Sequence, residues 1–419
     1  MRCARSPRAF SQRSHRLRVA ACKPLRRIAP ASVSALTSWT MTTKNTSLLL
    51  PTMALLTAPL WSSLCSGGEA PIYTLHLLKP PGQLGDYIVV TGINNAGVAV
   101  GATASPNCSG SCAVAWYSDS SIPLGPIDGG RGDKANAINN AGQIVGTTYV
   151  EDGSDGELHQ AVIWTDDKAS VLPPPNPSFN QTYAAAVNDV GQVVGWAFHP
   201  LSEEGLRAKP VVWTGLTPTL LDLMADCPIG VPSGVNNSGL VIGTIYCNSF
   251  DHPSAAVVWH GTTVSLLPEV AIPAEKAGQA NGVNDLGVVV GISLTADDSI
   301  PVAWVDRRVI KLEAGPRQPF TATAVAINNR GMIVGRIENA VLWTNIDAAP
   351  QDLNRIIGDA AASEYTLIEA MGINDDCAIV VNGTNNRTHG PAALLLTLND
   401  PSLCVSGRTA TLTTPTSHQ

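Results

Sequence analysis

A word of twelve residues that occurs seven times is the feature that most limits how this chain can fold. A clear copy runs from Ala135 to Gly146, and every copy contains an Asn that follows Ile or Val. These residues are Asn94, Asn139, Asn188, Asn236, Asn284, Asn328 and Asn374, spaced by 45, 49, 48, 48, 44 and 46 residues. A period this regular indicates a repeat architecture, with one structural unit per copy.

Each copy of the word predicts a β-hairpin. Gly or Ala stands two residues before the Asn, which predicts a short strand whose neighbours approach closely. The Asn is followed by Asn or Asp, a variable residue and, in six copies, Gly, a pattern typical of a turn closed by a bulge. The returning strand is apolar at consecutive positions, as in residues 288–290, which predicts cover on both faces.

Two further strands complete each unit. The third strand ends at a recurring Trp, at Trp116, Trp164, Trp213, Trp259, Trp304 and Trp343, with Leu396 in the seventh copy. Because this Trp recurs beside Ala-Val, it is expected to pack between units rather than to form a sugar-stacking surface. A polar turn leads to a fourth strand such as residues 264–267. Four antiparallel strands in roughly 47 residues are typical of a propeller blade.

The two ends of the array predict how the ring closes. The last copy stops after its third strand, near residues 392–398, while residues 72–78 form an unattached strand before the first copy. If that strand completes the last blade, no sheet edge is left open. The sequence therefore predicts an all-β, seven-bladed β-propeller of four-stranded antiparallel blades over residues 71–399. Residues 1–70 form an N-terminal extension, and residues 400–419 form a C-terminal tail.

The words Ile-Asn-Asn-Ala-Gly-Gln-Ile-Val-Gly (138–146) and Ala-Val-Ile-Trp (161–164) resemble those of the HAF family of extracellular repeat proteins. The resemblance spans roughly residues 72–398 and implies a secreted or surface-exposed protein with a β-propeller-like fold. The seventh copy departs from the pattern, since Cys377 replaces the turn Gly and Val381 replaces the later Gly.

The first 68 residues carry ten of the 26 Lys and Arg and none of the 33 Asp and Glu. Nucleic-acid binding or organelle targeting would suit such a basic segment. A secretory signal within residues 41–70 explains more, because Lys44 precedes a short apolar run and then small residues. Translation then starts at Met41, or it starts at Met1 and the signal has an unusually long basic N-terminal region. Cleavage gives a secreted, periplasmic or surface protein, and lipid attachment at Cys65 is the alternative.

Export also suits six of the nine cysteines, which fall into three pairs that the topology places on common faces of the ring. The candidates are Cys108 with Cys112, Cys227 with Cys247, and Cys377 with Cys404. Members of a disulfide need Cα atoms within about 7 Å, which connections on one face allow. Buried free thiols are the alternative.

The repeated words predict no catalytic residue, metal site or cofactor, and the chain is expected to be a non-enzymatic monomer without a membrane span. The Asn-rich turns repeat oxygen atoms but offer too few carboxylates for calcium. The tripeptide Arg131-Gly132-Asp133 is expected in the loop between blades 1 and 2, where adhesion is the alternative to coincidence. A hydrolase built from loop residues, or a passive envelope protein, remains open.

The long connections after the second and fourth strands lie on one face of the ring, which is the predicted binding surface. We call it the long-loop face. Its candidate residues are Glu151, Asp152, Asp155, Glu157, Trp196, Phe198, His199, Glu203, Glu204, Asp251, Asp297 and Asp298. A surface this acidic disfavours nucleic acid and predicts an extracellular protein or glycan as partner.

Overall fold

The structure is a computed structural model that describes residues 72–82, 87–104, 110–125, 127, 130–151, 157–166, 168–202, 205–248, 254–270, 277–294, 298–315 and 322–405. The basic extension, the signal-like segment with Cys65, and most of the C-terminal tail lie outside the described residues. No helix in the described part of the chain is long and apolar enough to cross a membrane.

Seven antiparallel sheets of four strands each form a seven-bladed β-propeller, as the sequence predicts. The chain begins with β1 (Tyr73–Leu77). Blade 1 is β2 (Ile88–Ile93), β3 (Ala99–Ala104), β4 (Ser111–Trp116) and β5 (Ser121–Pro123). Blade 2 is β6 (Gly130–Ile138), β7 (Ile144–Glu151), β8 (Glu157–Thr165) and β9 (Lys168–Val171). Blade 3 is β10 (Gln181–Val187), β11 (Gln192–Ser202), β12 (Gly205–Thr214) and β13 (Thr217–Leu220).

The same order continues through the rest of the ring. Blade 4 is β14 (Ile229–Val235), β15 (Val241–Tyr246), β16 (Ser254–His260) and β17 (Thr263–Leu266). Blade 5 is β18 (Ala277–Val283), β19 (Val289–Leu294), β20 (Ser299–Val305) and β21 (Arg308–Lys311). Blade 6 is β22 (Thr323–Ile327), β23 (Ile333–Arg336), β24 (Ala340–Trp343) and β25 (Gln351–Asp352).

Blade 7 joins the two ends of the array. It contains β26 (Tyr365–Ile373), β27 (Ile379–Asn385) and β28 (Pro391–Leu398), and β1 supplies its outer strand. The register runs from Tyr73 opposite Leu398 to Leu77 opposite Leu394, which confirms the predicted closure. Short helices α1 (Leu353–Ile356) and α2 (Asp359–Glu364) precede this blade, and a 3-10 turn (Pro401–Leu403) follows it. The sequence patterns did not predict these helical turns.

A β-bulge in every innermost strand explains the second Gly of the repeated word. In blade 3 the bulge lies between Ala184 and Ala186, and it pushes a carbonyl towards β11. A Cβ added to Gly195 would lie 1.8 Å from the Tyr183 carbonyl oxygen. Blade 7 has a second bulge, which moves this close approach to Gly383. Val381 is therefore accommodated where the other blades require Gly.

The recurring Trp side chains hold neighbouring blades together. All six are at most 3 % exposed. Each Nε1–H donates to a backbone carbonyl in the linker before its own blade, at 2.6–2.9 Å. The acceptors are Lys79, Gly125, Pro173, Asp222, Pro268 and Glu313. Burial with a satisfied N–H is what packing between blades requires, and it leaves these rings no free face for a sugar.

Two disulfides join the pairs expected from the sequence. Cys227 is bonded to Cys247, beside the long-loop face of blade 4. Cys377 is bonded to Cys404, which ties the end of the described chain to the hairpin turn of blade 7. Cys112 is also in a disulfide bond, while Cys108 lies outside the described residues. Disulfides persist in oxidising compartments, so these bonds fit an extracellular protein.

Candidate binding site

The innermost strands of the seven blades line a central channel. Along β10, Thr182 and Ala184 are buried, whereas Tyr183 and Ala185 are partly exposed. Successive side chains of a strand point to opposite faces. The partly exposed Tyr183 is on the side that contacts blade 2, where its ring stacks on His159 of β8. The short hairpin turns surround one end, which we call the ring end, and the long connections surround the other, which we call the mouth.

At the ring end, seven buried Asn side chains form a closed circle of hydrogen bonds. The Nδ2 of each repeated Asn donates to the backbone carbonyl of the corresponding Asn in the next blade, at 2.8–3.1 Å. Asn374 of blade 7 donates to Asn94 of blade 1. The Oδ1 of the same side chain accepts from the N–H four residues on, as from Val98 to Asn94. One residue thus stabilises both its own turn and the junction between blades.

A second circle of hydrogen bonds adjoins the first on its solvent-exposed side. Its members follow the repeated Asn and are Asn95, Asn140, Asp189, Asn237, Asp285, Asn329 and Asp375. Each backbone N–H donates to the Oδ1 of the next member, at 2.8–2.9 Å, and Asp375 donates back to Asn95. Both circles therefore pass through the junction where the chain itself is not continuous between blades 7 and 1.

Carboxylates and amides alternate in the second circle. The Oδ2 of Asp285 accepts from the Nδ2 of Asn237 and of Asn329, both at 3.0 Å, and the other two Asp residues are paired in the same way. Seven is an odd number, so strict alternation is impossible, and the two amides of Asn95 and Asn140 adjoin. Burial raises the pKa of Asp189, but donors from Asn140 and Asn237 outweigh it and hold the pKa below its ordinary value.

The ring end is built for stability rather than for a large ligand. It surrounds a cavity of about 160 Å³, whereas pockets for small molecules usually measure ~300–1,000 Å³. Its carboxylate oxygens are already engaged by amide donors. The described part of the chain contains no group of three or more His, Cys, Asp or Glu residues placed to hold a metal ion. The expected lack of a metal or cofactor stays a prediction.

Towards the mouth, by contrast, the side chains of the innermost strands vary between blades. The position five residues before each repeated Asn forms the mouth layer. It holds Val89, Lys134, Tyr183, Val231, Gln279, Thr323 and Glu369, all partly exposed. The sequence analysis missed Lys134, Tyr183 and Glu369, because they lie just outside the repeated word. Their partly exposed place on an innermost strand is the signal that identifies them.

A row of four aromatic rings adjoins the mouth layer in blades 2 and 3. We call Tyr149, His159, Tyr183 and Trp196 the aromatic row. Ring centroids lie 4.5 Å apart for the first pair, which meets edge to face. The next two pairs are stacked, with centroids 4.9 Å and 5.0 Å apart. All four side chains are partly exposed.

Hydrogen bonding fixes one member of the aromatic row more closely. The Tyr183 hydroxyl donates to Gln181 Oε1 at 3.2 Å. Burial, and to a smaller extent Tyr149, raises the pKa of Tyr183 to about 12. The hydroxyl is therefore protonated at neutral pH and remains a hydrogen-bond donor.

The candidate residues of the long-loop face fall into two groups. Glu151 and Glu157 lie in strands β7 and β8, so their expected placement in a loop is wrong. Trp196, Phe198 and His199, which were expected to flank a loop, lie in β11. These connections continue the strand ladder, with Tyr149 opposite His159 and Glu151 opposite Glu157. Asp298 lies just before β20 and is partly buried. Asp152, Asp155, Glu203, Glu204, Asp251 and Asp297 lie outside the described residues.

The tripeptide 131–133 is also part of a strand, β6, and not of a loop. The Asp133 side chain is 6 % exposed, and its Oδ1 has no hydrogen-bond partner. An adhesion motif must reach its receptor, so this burial argues against adhesion. Burial raises the pKa of Asp133, and the neighbouring Thr148 side chain opposes the rise.

We expect Asp133→Asn to stabilise the protein at neutral pH. A carboxyl group whose pKa is raised by folding stabilises the fold when protonated. That contribution is complete below the unfolded pKa of about 3.9 and is lost as pH rises through the folded pKa. At pH 7 the substitution should raise Tm by roughly 2–4 °C, and the gain should shrink towards pH 4. Thermal melts at both pH values measure this.

Asp119→Asn is the matched control for that substitution, because Asp119 is exposed. The Tm of this variant should equal that of the wild-type protein. A lower Tm for Asp133→Asn at pH 7 would show that the carboxylate makes a favourable interaction in the fold.

Comparisons with known proteins bear on the fold alone. No family model matches the chain, and no curated protein matches it in sequence, so membership of the HAF family stays a prediction. Among solved structures, an acylaminoacyl peptidase from Pyrococcus horikoshii is 13% identical, with a TM-score of 0.46, over 74% of this chain and 51% of that one. A structure described as YCF48 bound to D1 peptide is 9% identical, with a TM-score of 0.46, over 79% and 96%.

A sialidase from Trypanosoma rangeli is 11% identical, with a TM-score of 0.36, over 67% of this chain and 56% of that one. The chain thus spans about half the length of the peptidase and the sialidase. Similarity this low carries no conclusion about activity.

Proposed function

We propose that this chain is an exported, non-enzymatic binding or scaffold protein that uses its long-loop face to bind a polysaccharide or protein partner. The contrast between the two ends of the channel carries the proposal. The ring end repeats the same hydrogen bonds in every blade, whereas the mouth layer holds six different residue types in seven blades. Hydrogen bonds that repeat in every blade stabilise the scaffold. Residues that vary between the units of a rigid scaffold are the ones that usually bind a partner.

Two further observations support this proposal over a hydrolase and over an intracellular protein. Among the seven described positions of the mouth layer, Glu369 is the one carboxylate and Lys134 the one amine. Paired-carboxylate hydrolysis needs two such groups about 5–10 Å apart. The disulfides of blades 4 and 7 suit an oxidising compartment, in keeping with the export signal proposed within residues 41–70.

A matched pair of substitutions tests which end of the channel binds. The full chain is titrated against immobilised polysaccharides and extracellular proteins, and saturable binding to at least one of them is expected. Gln279→Arg fills the mouth with a bulky cation and should weaken that binding about tenfold or more. Leu286→Arg places the same side chain on an exposed turn at the ring end and should leave binding unchanged.

Two results would contradict the proposal. Absence of saturable binding by the wild-type chain would favour a passive envelope protein. Turnover of any bound polysaccharide that Glu369→Gln abolishes would favour the hydrolytic alternative.

A further inference from the structure

We infer that the aromatic row is a saccharide-binding subsite, which takes one or two units of a neutral glycan at the mouth of the channel. The inference rests on the proposed function and names the ligand class. It starts from the position of the row, which crosses from blade 2 to blade 3 and includes Tyr183 of the mouth layer.

The propeller fold does not require aromatic rings at these positions. Tyr183 faces Trp196 across β10 and β11. The corresponding pairs of the other blades are Val89–Ala102, Lys134–Thr147, Val231–Thr244, Gln279–Ile292, Thr323–Arg336 and Glu369–Asn382. Six blades are thus complete with small, aliphatic or polar side chains at both positions. The stacked pair in blade 3 is therefore specific to this junction, where Tyr183 also stacks on His159 of blade 2.

The size of the row favours a sugar over a protein surface. Aromatic side chains measure about 150–250 Å² each. Four partly exposed rings therefore offer roughly 50–350 Å² together, whereas one side of a stable protein interface needs about 800 Å². One or two pyranose rings cover an area of the smaller size.

The chemistry of the row matches a saccharide as well. A pyranose ring has an apolar face of C–H groups that packs on an aromatic ring, and hydroxyl groups around its edge that need donors and acceptors. Tyr183 is stacked between His159 and Trp196, so the rings at the ends of the row, Tyr149 and Trp196, are the ones that take a sugar face. The Tyr183 hydroxyl with Gln181 supplies polar atoms beside them. Rigid rings lose little conformational freedom on binding, so more of the contact energy appears as affinity.

The test uses the full chain and four neutral soluble probes, namely barley β-glucan, xylan, galactomannan and dextran, in affinity gel electrophoresis. We expect retardation by at least one probe. Tyr183→Leu and Trp196→Leu should each weaken it about tenfold. Tyr246→Leu is the control, because Tyr246 is an equally aromatic, 38 % exposed residue of β15 outside the row, and it should change binding less than about twofold.

Conservative variants separate lost contacts from lost folding. Trp196→Phe and Tyr183→Phe keep a ring in the row and should retain most of the binding. Thermal melts identify any Leu variant that is unfolded. For such a position, probe binding by the folded Phe variant shows whether the ring is needed.

The outcomes separate the subsite from the proposed function. Full retardation of both Leu variants would overturn the subsite and leave binding elsewhere on the long-loop face intact. A wild-type chain that ignores the four probes but binds polylysine or an extracellular protein would overturn the saccharide inference alone. A chain that binds none of these probes would overturn both.

Discussion

Replacing Gly195 with alanine is expected to destabilise the protein by about 4 kcal/mol or more, among the largest effects of a single substitution. The added Cβ would lie 1.8 Å from the Tyr183 carbonyl oxygen and 2.8 Å from its carbon. Both are backbone atoms of the neighbouring strand, so relief requires the β10–β11 ladder to separate. Urea unfolding followed by tryptophan fluorescence measures the loss.

The same substitution should also abolish saccharide binding where the protein remains folded. Gly195 lies directly before Trp196 and opposite the strand that carries Tyr183, so a displaced ladder separates the stacked rings. Gly92→Ala is the control. Its Cβ would find no neighbour nearer than 3.7 Å, and Ala137, Ala186 and Ala326 occupy the equivalent position in other blades. A loss below about 1 kcal/mol for Gly195→Ala would show that the bulged carbonyl does not approach β11.

The repeated word predicted the fold well because each of its signals is local. The Asn-x-Gly turn, the apolar strand and the Trp strand each occupy a few residues, and seven copies at one period specify seven blades. The closure by β1 was predictable for the same reason, since the missing strand of blade 7 and the spare strand before blade 1 are both visible. The second bulge of blade 7 was not predictable, because Val381 and Gly383 reveal it only through their pairing across strands.

The candidate site was harder to predict because its parts come together only in the ring. The Asn of each word is explained by its own turn, and nothing in one copy shows that its Nδ2 also reaches the next blade. The aromatic row joins side chains from four strands of two blades, so no short pattern contains it. Trp196 and Phe198 were noticed in the sequence as residues that flank a long connection, but the pattern did not show that β11 continues through them.

Removing one Asn from the inner circle should cost about 3 kcal/mol. In Asn284→Leu the side chain keeps its volume but loses two hydrogen bonds, to the Asn328 carbonyl and from the Val288 N–H. Asn284 is 3 % exposed, so water cannot readily replace these partners, and each unsatisfied buried group costs about 1–3 kcal/mol. Urea unfolding measures the change, and Asn176→Leu is the control. Asn176 makes a similar turn bond to Ser178 but is exposed, so its loss should stay below about 1 kcal/mol.

The inner circle also predicts that replacing any one of its Asn residues by Leu lowers the free energy of unfolding by the same amount, whichever blade carries it. Asn374→Leu breaks the bond from blade 7 to blade 1, across a junction that the chain does not cross directly, and it should cost as much as Asn284→Leu. A smaller cost would show that the inner circle is open there in solution and that the second circle and β1 hold the ring together. Equal costs would show that blade 7 is joined to blade 1 as firmly as any two consecutive blades. The mouth would then keep its shape without a ligand, since all seven innermost strands are held by the same bonds.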